Sequence, residues 1–270
     1  MSGERSRILH LSDVHFGPKH LAEVSAAIAG LVETERPDLV VISGDLTQRA
    51  KPDQFRAARA FVDRLEKVSP VLAVPGNHDV PLYRVWERLF APFGAYRKHF
   101  RAQLEPVFRY DALLVVGLNT AQAWAFKGGR VRPRRVEQAV ELFTRAPAGL
   151  FKIAVAHHHL ARPAGVECEH AAWNAAGACV RLRRAGVDLA LSGHLHQTLE
   201  LHPAGEDGFP ALHTGTSSSS RGRGLEVGLC TVQWIEIAAD RFVVRGQAWN
   251  PLRGGFDAAF ERPYRRSQER

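Results

Sequence analysis

The sequence predicts a layered α/β protein. Three observations carry that expectation. Short apolar runs, rich in β-branched residues, alternate with stretches of helical period as far as residue 191. The runs are short enough to be buried strands rather than helices. Five of them stop at a carboxylate, amide or imidazole, usually behind a small Ser or Gly, which is where open α/β sheets present ligands.

Each element follows from local pattern. Ile8 to Leu11 opens as a strand, and Leu21 to Val32 places Leu21, Val24, Ala27, Ile28, Leu31 and Val32 at helical spacing. Leu39-Val40-Val41-Ile42 is a second buried strand, entered through Arg36-Pro37-Asp38. Phe55 to Leu65 reads as a helix, with Asp53 the candidate N-cap just after Pro52. Val71 to Val74 is a third strand, stopped by Pro75-Gly76. Residues 81–110 break the alternation by mixing Trp86, Leu89, Phe90, Phe93, Tyr96 and Phe100 with arginines and Lys98. They read as an inserted helical cap over the strand ends or as a plain amphipathic helix pair. Alternation resumes with a strand at Ala112 to Leu118 and a helix at Pro133 to Thr144, which begins on proline. A strand at Phe151 to Ala156, a helix at Ala171 to Ala185 closed by Gly186, and a strand at Leu189 to Leu191 follow. Beyond residue 197, Leu199–His202, Leu212–Thr214, Leu229–Ile237 and Phe242–Ala248 read as antiparallel strands completing a second sheet. The last ten residues read as a frayed basic tail. No stretch has the composition of a linker, so residues 1–270 are expected to form one domain.

Composition narrows the class. No apolar run approaches the ~20 residues of a membrane span, and the amino terminus does not read as a signal peptide. Cys168, Cys179 and Cys230 are scattered and odd in number, which argues against a disulfide framework and for a reducing cytoplasm. Cys168 and Cys179 read as packing residues. The net charge of +8, arginine-clustered, would attract an anionic substrate, nucleic acid or an acidic membrane surface. No zinc-finger or RNA-recognition pattern accompanies it, so nucleic acid is disfavoured and peripheral membrane contact stays open.

The polar strand ends carry the chemistry. They are Asp13-Val14-His15, Gly44-Asp45, Gly76-Asn77-His78-Asp79, His157-His158-His159 and Gly193-His194-Leu195-His196. Residues two apart in extended backbone share a side, so Asp13 and His15 are expected to converge, as are His194 and His196. Such donors would be poorly solvated and mutually repulsive without cations among them. Carboxylate and imidazole suit manganese, iron or zinc, and the absence of thiolates argues against structural zinc. The donors outnumber what one catalytic ion requires, so two divalent ions are expected.

Taken together, these motifs resemble the calcineurin-like metallophosphoesterase superfamily. The likeness covers residues 8–196 in motif order. Residues 8–15, Leu46-Thr47 and Gly215-Thr216-Ser217-Ser218 bring it nearest to the bacterial class III cyclic-nucleotide phosphodiesterases. The resemblance implies a four-layer αββα sandwich with two mixed sheets and a dinuclear site between them. By motif, Asp13, His15 and His196 would hold one metal, Asn77, His157 and His194 the other, and Asp45 would bridge. His78 would approach substrate and Asp79 would orient His78 from behind. The run His157-His158-His159-Leu160 departs from the family's usual prolines, so His158 competes with His157 for the ligand slot.

The expected activity is direct hydrolysis of a small anionic phosphodiester such as a cyclic nucleotide. A water shared by the two cations would be the nucleophile, as hydroxide, and His78 would be the general acid. Hydrolysis of a UDP-diacylglucosamine-type lipid nucleotide is the alternative, weakened because those enzymes usually carry Arg at the position of His78. An inactive scaffold or nucleic-acid binder is the alternative from another class. The segment Ser217–Arg221 reads as a substrate-contacting loop or a flexible turn.

Overall fold

Two six-stranded sheets pack face to face at the centre of the computed structural model, which describes residues 6–100, 102–161, 171–202 and 208–266. In the first sheet the order is β12-β11-β10-β1-β2-β3, and in the second β4-β5-β6-β7-β9-β8. The first combines β1 (Ser6–Leu11), β2 (Leu39–Ile42) and β3 (Val71–Ala73) with β10 (Thr231–Ile237), β11 (Arg241–Asn250) and β12 (Gly255–Arg265). The second combines β4 (Val107–Tyr110), β5 (Leu113–Leu118), β6 (Phe151–Ala156), β7 (Leu189–Ser192), β8 (Leu199–Leu201) and β9 (Ala211–His213).

Strand periodicity explains the layers. Alternate residues of a strand face opposite sides. Ile8, Leu39, Val41 and Ile235 of the first sheet therefore meet Val115, Ile153, Val155 and Leu189 of the second in the inter-sheet core. Leu9, Leu11, Val40 and Ile42 point the other way, onto helices α1 (Ala22–Glu35) and α2 (Pro52–Glu66). On the far side, Leu114, Val116, Ala154 and Ala190 pack against α5 (Pro133–Arg145) and α6 (Ala175–Arg184). The result is the expected αββα sandwich. Strands covered on both faces read as unbroken apolar runs, which is why β2, β5 and β6 were plain in the sequence.

Several expectations need correction. Strands β10, β11 and β12 do not complete the second sheet: β10 pairs antiparallel with β1, Ile8 facing Ile235, and extends the first. The strands also do not end near residue 248, because β12 runs to Arg265. That edge strand is mostly exposed and contains Pro263, so it lacks the alternation of a buried strand. Strand β9 is parallel to β7, not antiparallel. Asp53 is not the N-cap of α2. Lys51 holds that position, Pro52 is the first helical residue, and the Gln54 side chain accepts the Arg49 amide at 2.8 Å.

Residues 81–110 contain two short helices, α3 (Val85–Phe90) and α4 (Gly94–His99), followed by β4. Helix α4 belongs to the outer helical layer: Tyr96 is buried and donates its hydroxyl to Ala73 O at 2.9 Å, and His99 stacks on Phe55. Helix α3 shows Trp86 and Phe90 to solvent. Cys179 and Cys230 are buried free thiols, and Cys168 lies outside the described residues. No described helix is long and apolar enough to cross a membrane.

Candidate metal centre

The loops that leave β1, β2, β3, β6 and β7 are laced together by backbone hydrogen bonds. Asp13 N donates to Gly44 O and His15 N to Asp45 O, both at 3.0 Å, and Gly193 N donates to His157 O at 3.1 Å. All seven residues expected to bind metal meet there. Asp13, His15, Asp45 and His196 form one group whose donor atoms lie within 4.8 Å of one another; His157, His158 and His194 form a second.

In the first group, Nε2 of His15 and Nε2 of His196 are 3.1 Å apart. Nδ1 of His196 donates to Arg221 O at 2.8 Å, and Nδ1 of His15 faces Thr47 O at 3.4 Å. With Nδ1 carrying the hydrogen in each ring, both Nε2 lone pairs face the same point. Asp13 Oδ1 stands 3.1 Å from His196 and 3.5 Å from His15. Its other oxygen is held by the Ser12 hydroxyl and the His194 amide.

In the second group, Asn77 Oδ1 lies 3.1 Å from both His157 Nε2 and His194 Nδ1, while Asn77 Nδ2 donates outward to Phe126 O. His157 is fixed by Nδ1 donating to Ser43 O at 2.9 Å. Asp45 spans the groups. Its Oδ1 is 3.4 Å from His157 Nε2 and its Oδ2 3.7 Å from His15 Nε2.

Proximity alone would admit His158 to the second group, but its nitrogens are engaged elsewhere. Nε2 faces Lys127 O at 3.0 Å and Nδ1 faces the Thr120 hydroxyl at 2.8 Å. A ring that donates to a carbonyl and accepts from a hydroxyl has no lone pair left for a cation. Burial also holds His158 well below the usual imidazole range.

Asp13 Oδ1 and Asp45 Oδ2 are fully buried and have no hydrogen-bond partner. Two orphaned carboxylate oxygens facing bare imidazole lone pairs are costly in a protein interior and are satisfied by divalent cations. The donor set, oxygen and nitrogen without thiolate, suits such ions.

Two sequence-based arguments fail on local geometry. Asp13 and His15 are not in extended backbone: both have left-handed φ, +51° and +46°, as do Asp45, His194 and His196. Asp13 and His15 converge on the first group all the same, whereas His194 and His196 point to different groups. Strained φ values at so many donors show that the surrounding loops dictate the backbone. The glycines before the donors permit the crowding. A Cβ on Gly76 would collide with Asp45 Oδ1, and one on Gly193 with Ser12 Oγ.

Asp79 does not touch His78 through its carboxylate. That group accepts the amides of Gly76, Leu46 and Thr47 and the Thr47 hydroxyl, and so pins the loop that carries Asp45. Burial, with the Asp45 charge, pushes Asp79 up to about 7 against those donors. His78 is instead oriented by Gln48 O, which accepts from Nδ1 at 2.8 Å, so Nε2 faces the site. Burial lowers the His78 pKa, opposed by Asp45. Sequence reasoning missed the backbone carbonyls of Ser43, Thr47, Gln48 and Arg221 that set the rings, because a carbonyl has no sequence signature.

Comparison with known proteins agrees with this architecture. A glycerophosphodiester phosphodiesterase, GpdQ of Enterobacter lignolyticus, is 35% identical over 82 residues, 27% of this chain and 29% of its own. A probable cyclic nucleotide phosphodiesterase of Synechococcus sp. is 31% identical over 127 residues, 43% of this chain and 44% of its own. The chain thus spans less than half the length of either relative. Among solved structures, the purple acid phosphatase PPD1 of yellow lupin (Lupinus luteus) superposes with a TM-score of 0.72 over 96% of this chain and 54% of that one. At 13% identity that likeness concerns the fold. The model of the calcineurin-like phosphoesterase domain matches residues 6–198, and the chain belongs to that family.

Proposed function

We propose that the chain is a phosphodiesterase using two divalent ions, manganese, iron or zinc, and acting on cyclic nucleotides or similar small phosphodiesters. In this reading Asp13, His15 and His196 hold one ion, Asn77, His157 and His194 the other, and Asp45 serves both. The observation that carries it is the pair of buried, unpartnered oxygens, Asp13 Oδ1 and Asp45 Oδ2, set among imidazole nitrogens. Divalent ions in such a pair polarise a phosphoryl oxygen and lower the pKa of bound water.

The chain's own residues supply the remainder. His78 Nδ1 is held by Gln48 O, so a proton delivered to the leaving oxygen must sit on Nε2, and the donating form is the imidazolium. Asp79 acts through the 45–48 loop, holding Asp45 and the Gln48 carbonyl in register. Residues 1–270 are read as one domain, in keeping with β10–β12 completing the sheet that β1 begins.

Protein reconstituted with manganese should hydrolyse a member of a panel comprising cyclic nucleotides, bis(p-nitrophenyl) phosphate and UDP-diacylglucosamine. Turnover that survives complete metal removal would end the proposal. Asp45→Ala should lose both ions, measured by elemental analysis.

One observation favours the lipid-nucleotide alternative. Trp86, Phe90 and Trp124 are 75%, 79% and 77% exposed. They stand beside the site, since Arg88 bonds Pro81 O and Ala125 O and Asn77 bonds Phe126 O. Exposed aromatics of this kind suit an acyl chain or bilayer surface. Co-flotation with anionic vesicles, together with turnover of only the lipid substrate in the panel, would select this reading.

A further inference from the structure

The segment from Gly215 to Arg221 carries Ser217, Ser218 and Ser219 inward and leaves Ser220 exposed. Ser217 Oγ accepts the Ser12 amide at 3.0 Å and donates to Thr231 O at 3.1 Å. Ser218 Oγ donates to Val14 O at 3.2 Å, and Thr216 Oγ1 to Ser219 O at 2.8 Å. Backbone bonds from Ser217 N to Ser12 O and from Leu21 N to Ser218 O complete the attachment. Thr216 through Ser219 are fully buried. The loop is therefore neither a row of substrate-facing hydroxyls nor a flexible turn. It is a platform fastened to the strand end that carries Asp13 and His15.

Arg221 stands where this platform reaches the site. Its carbonyl fixes His196, and its guanidinium Nη2 lies 3.4 Å from His78 Nε2. The side chain is half-buried, and among the described residues no carboxylate lies within ion-pair distance of it. The acidic charges acting on it are those of Asp45 and Asp13 across the site, the same groups that two divalent ions would neutralise. A guanidinium offers five N–H donors in a planar fork, and here one contact uses a single donor on a ring nitrogen. Burying a cation beside a dinuclear centre, where like charge repels it, is favourable only if an anion joins it.

We infer that Arg221 is a substrate-binding residue whose guanidinium takes a non-bridging phosphoryl oxygen on the His78 side of the site. This rests on the phosphodiesterase reading. The Arg221–His78 contact is then the ligand-free arrangement, and a bound phosphoryl group replaces the imidazole as acceptor. The serine platform fixes the backbone from which that side chain extends.

The test uses the full chain loaded with manganese. Arg221→Gln should bind inorganic phosphate about tenfold more weakly in calorimetry and raise KM for bis(p-nitrophenyl) phosphate by a similar factor, while retaining its metal. Arg221→Lys, a point charge without the fork, should recover part of the loss. Added guanidinium at millimolar concentration should restore phosphate binding to Arg221→Gly, a readout that a purely structural role would not move. Unchanged phosphate affinity and KM in Arg221→Gln would overturn the assignment and leave hydrolysis standing. Loss of metal from that variant would also overturn it, by reassigning the side chain to support of His196. A wild-type chain that takes up manganese but hydrolyses nothing in the panel would instead remove the reading beneath it.

Discussion

His157 and His158 are adjacent in sequence and chemically identical, yet their rings are held in different ways. The difference lies in what stands behind each ring. Ser43 O takes the Nδ1 hydrogen of His157 and turns Nε2 inward, whereas Thr120 and Lys127 use both nitrogens of His158. At this scale the decisive experiment concerns His78. His78→Ala should retain both ions and lose about 10²–10⁴ in rate, the usual worth of a general acid. A variant that lost its metals would make His78 a ligand and the assignment wrong. Gln48 cannot be tested in the same way, because the contact comes from its backbone carbonyl.

Among the elements, the strand-end loops matter more than the strands. The donor loops after β1, β2 and β7 adopt left-handed backbone at non-glycine residues, and those after β2, β3 and β7 use a glycine just before the donor for close approach. Gly76 shows the consequence. Its φ is ordinary, but an added methyl would enter the space of Asp45 Oδ1. Gly76→Ala should therefore displace the shared carboxylate, lowering metal affinity tenfold or more and stability by about 1–3 kcal/mol. Isothermal titration with manganese and a thermal melt would measure both; wild-type affinity would mean that the 76–79 turn can shift freely. The amphipathic helices and doubly covered strands were legible because burial on known faces imposes a period. Strand β12 was not, since an exposed edge imposes none. For α4 the sequence left a cap and an amphipathic helix pair both open, because aromatic residues mixed with basic ones look alike on a lid and on an outer helix.

For the whole molecule, the centre links both sheets. Donors come from β1, β2 and β3 of one and from β6 and β7 of the other, so bound ions would hold the two halves of the sandwich together. Ligands that bind only the folded state stabilise it by about 2.7 kcal/mol at a hundredfold excess over Kd. Chelation should accordingly lower the melting temperature by roughly 5 °C or more, and manganese should restore it. A melt indifferent to chelator and metal would show that no ion occupies the folded chain.

The amino-acid sequence by itself determined the layered α/β class and the polar strand ends that supply the candidate donors, in their order along the chain. These are local properties: strand period, stop signals and side-chain chemistry all act within a few residues. Only the tertiary structure decided which donors face which group, that Asp79 secures a loop rather than an imidazole, and that β10–β12 join the first sheet. Those outcomes depend on backbone carbonyls, left-handed turns and distant partners such as the buried His10 and Gln233, 223 residues apart, and no local pattern encodes such pairings.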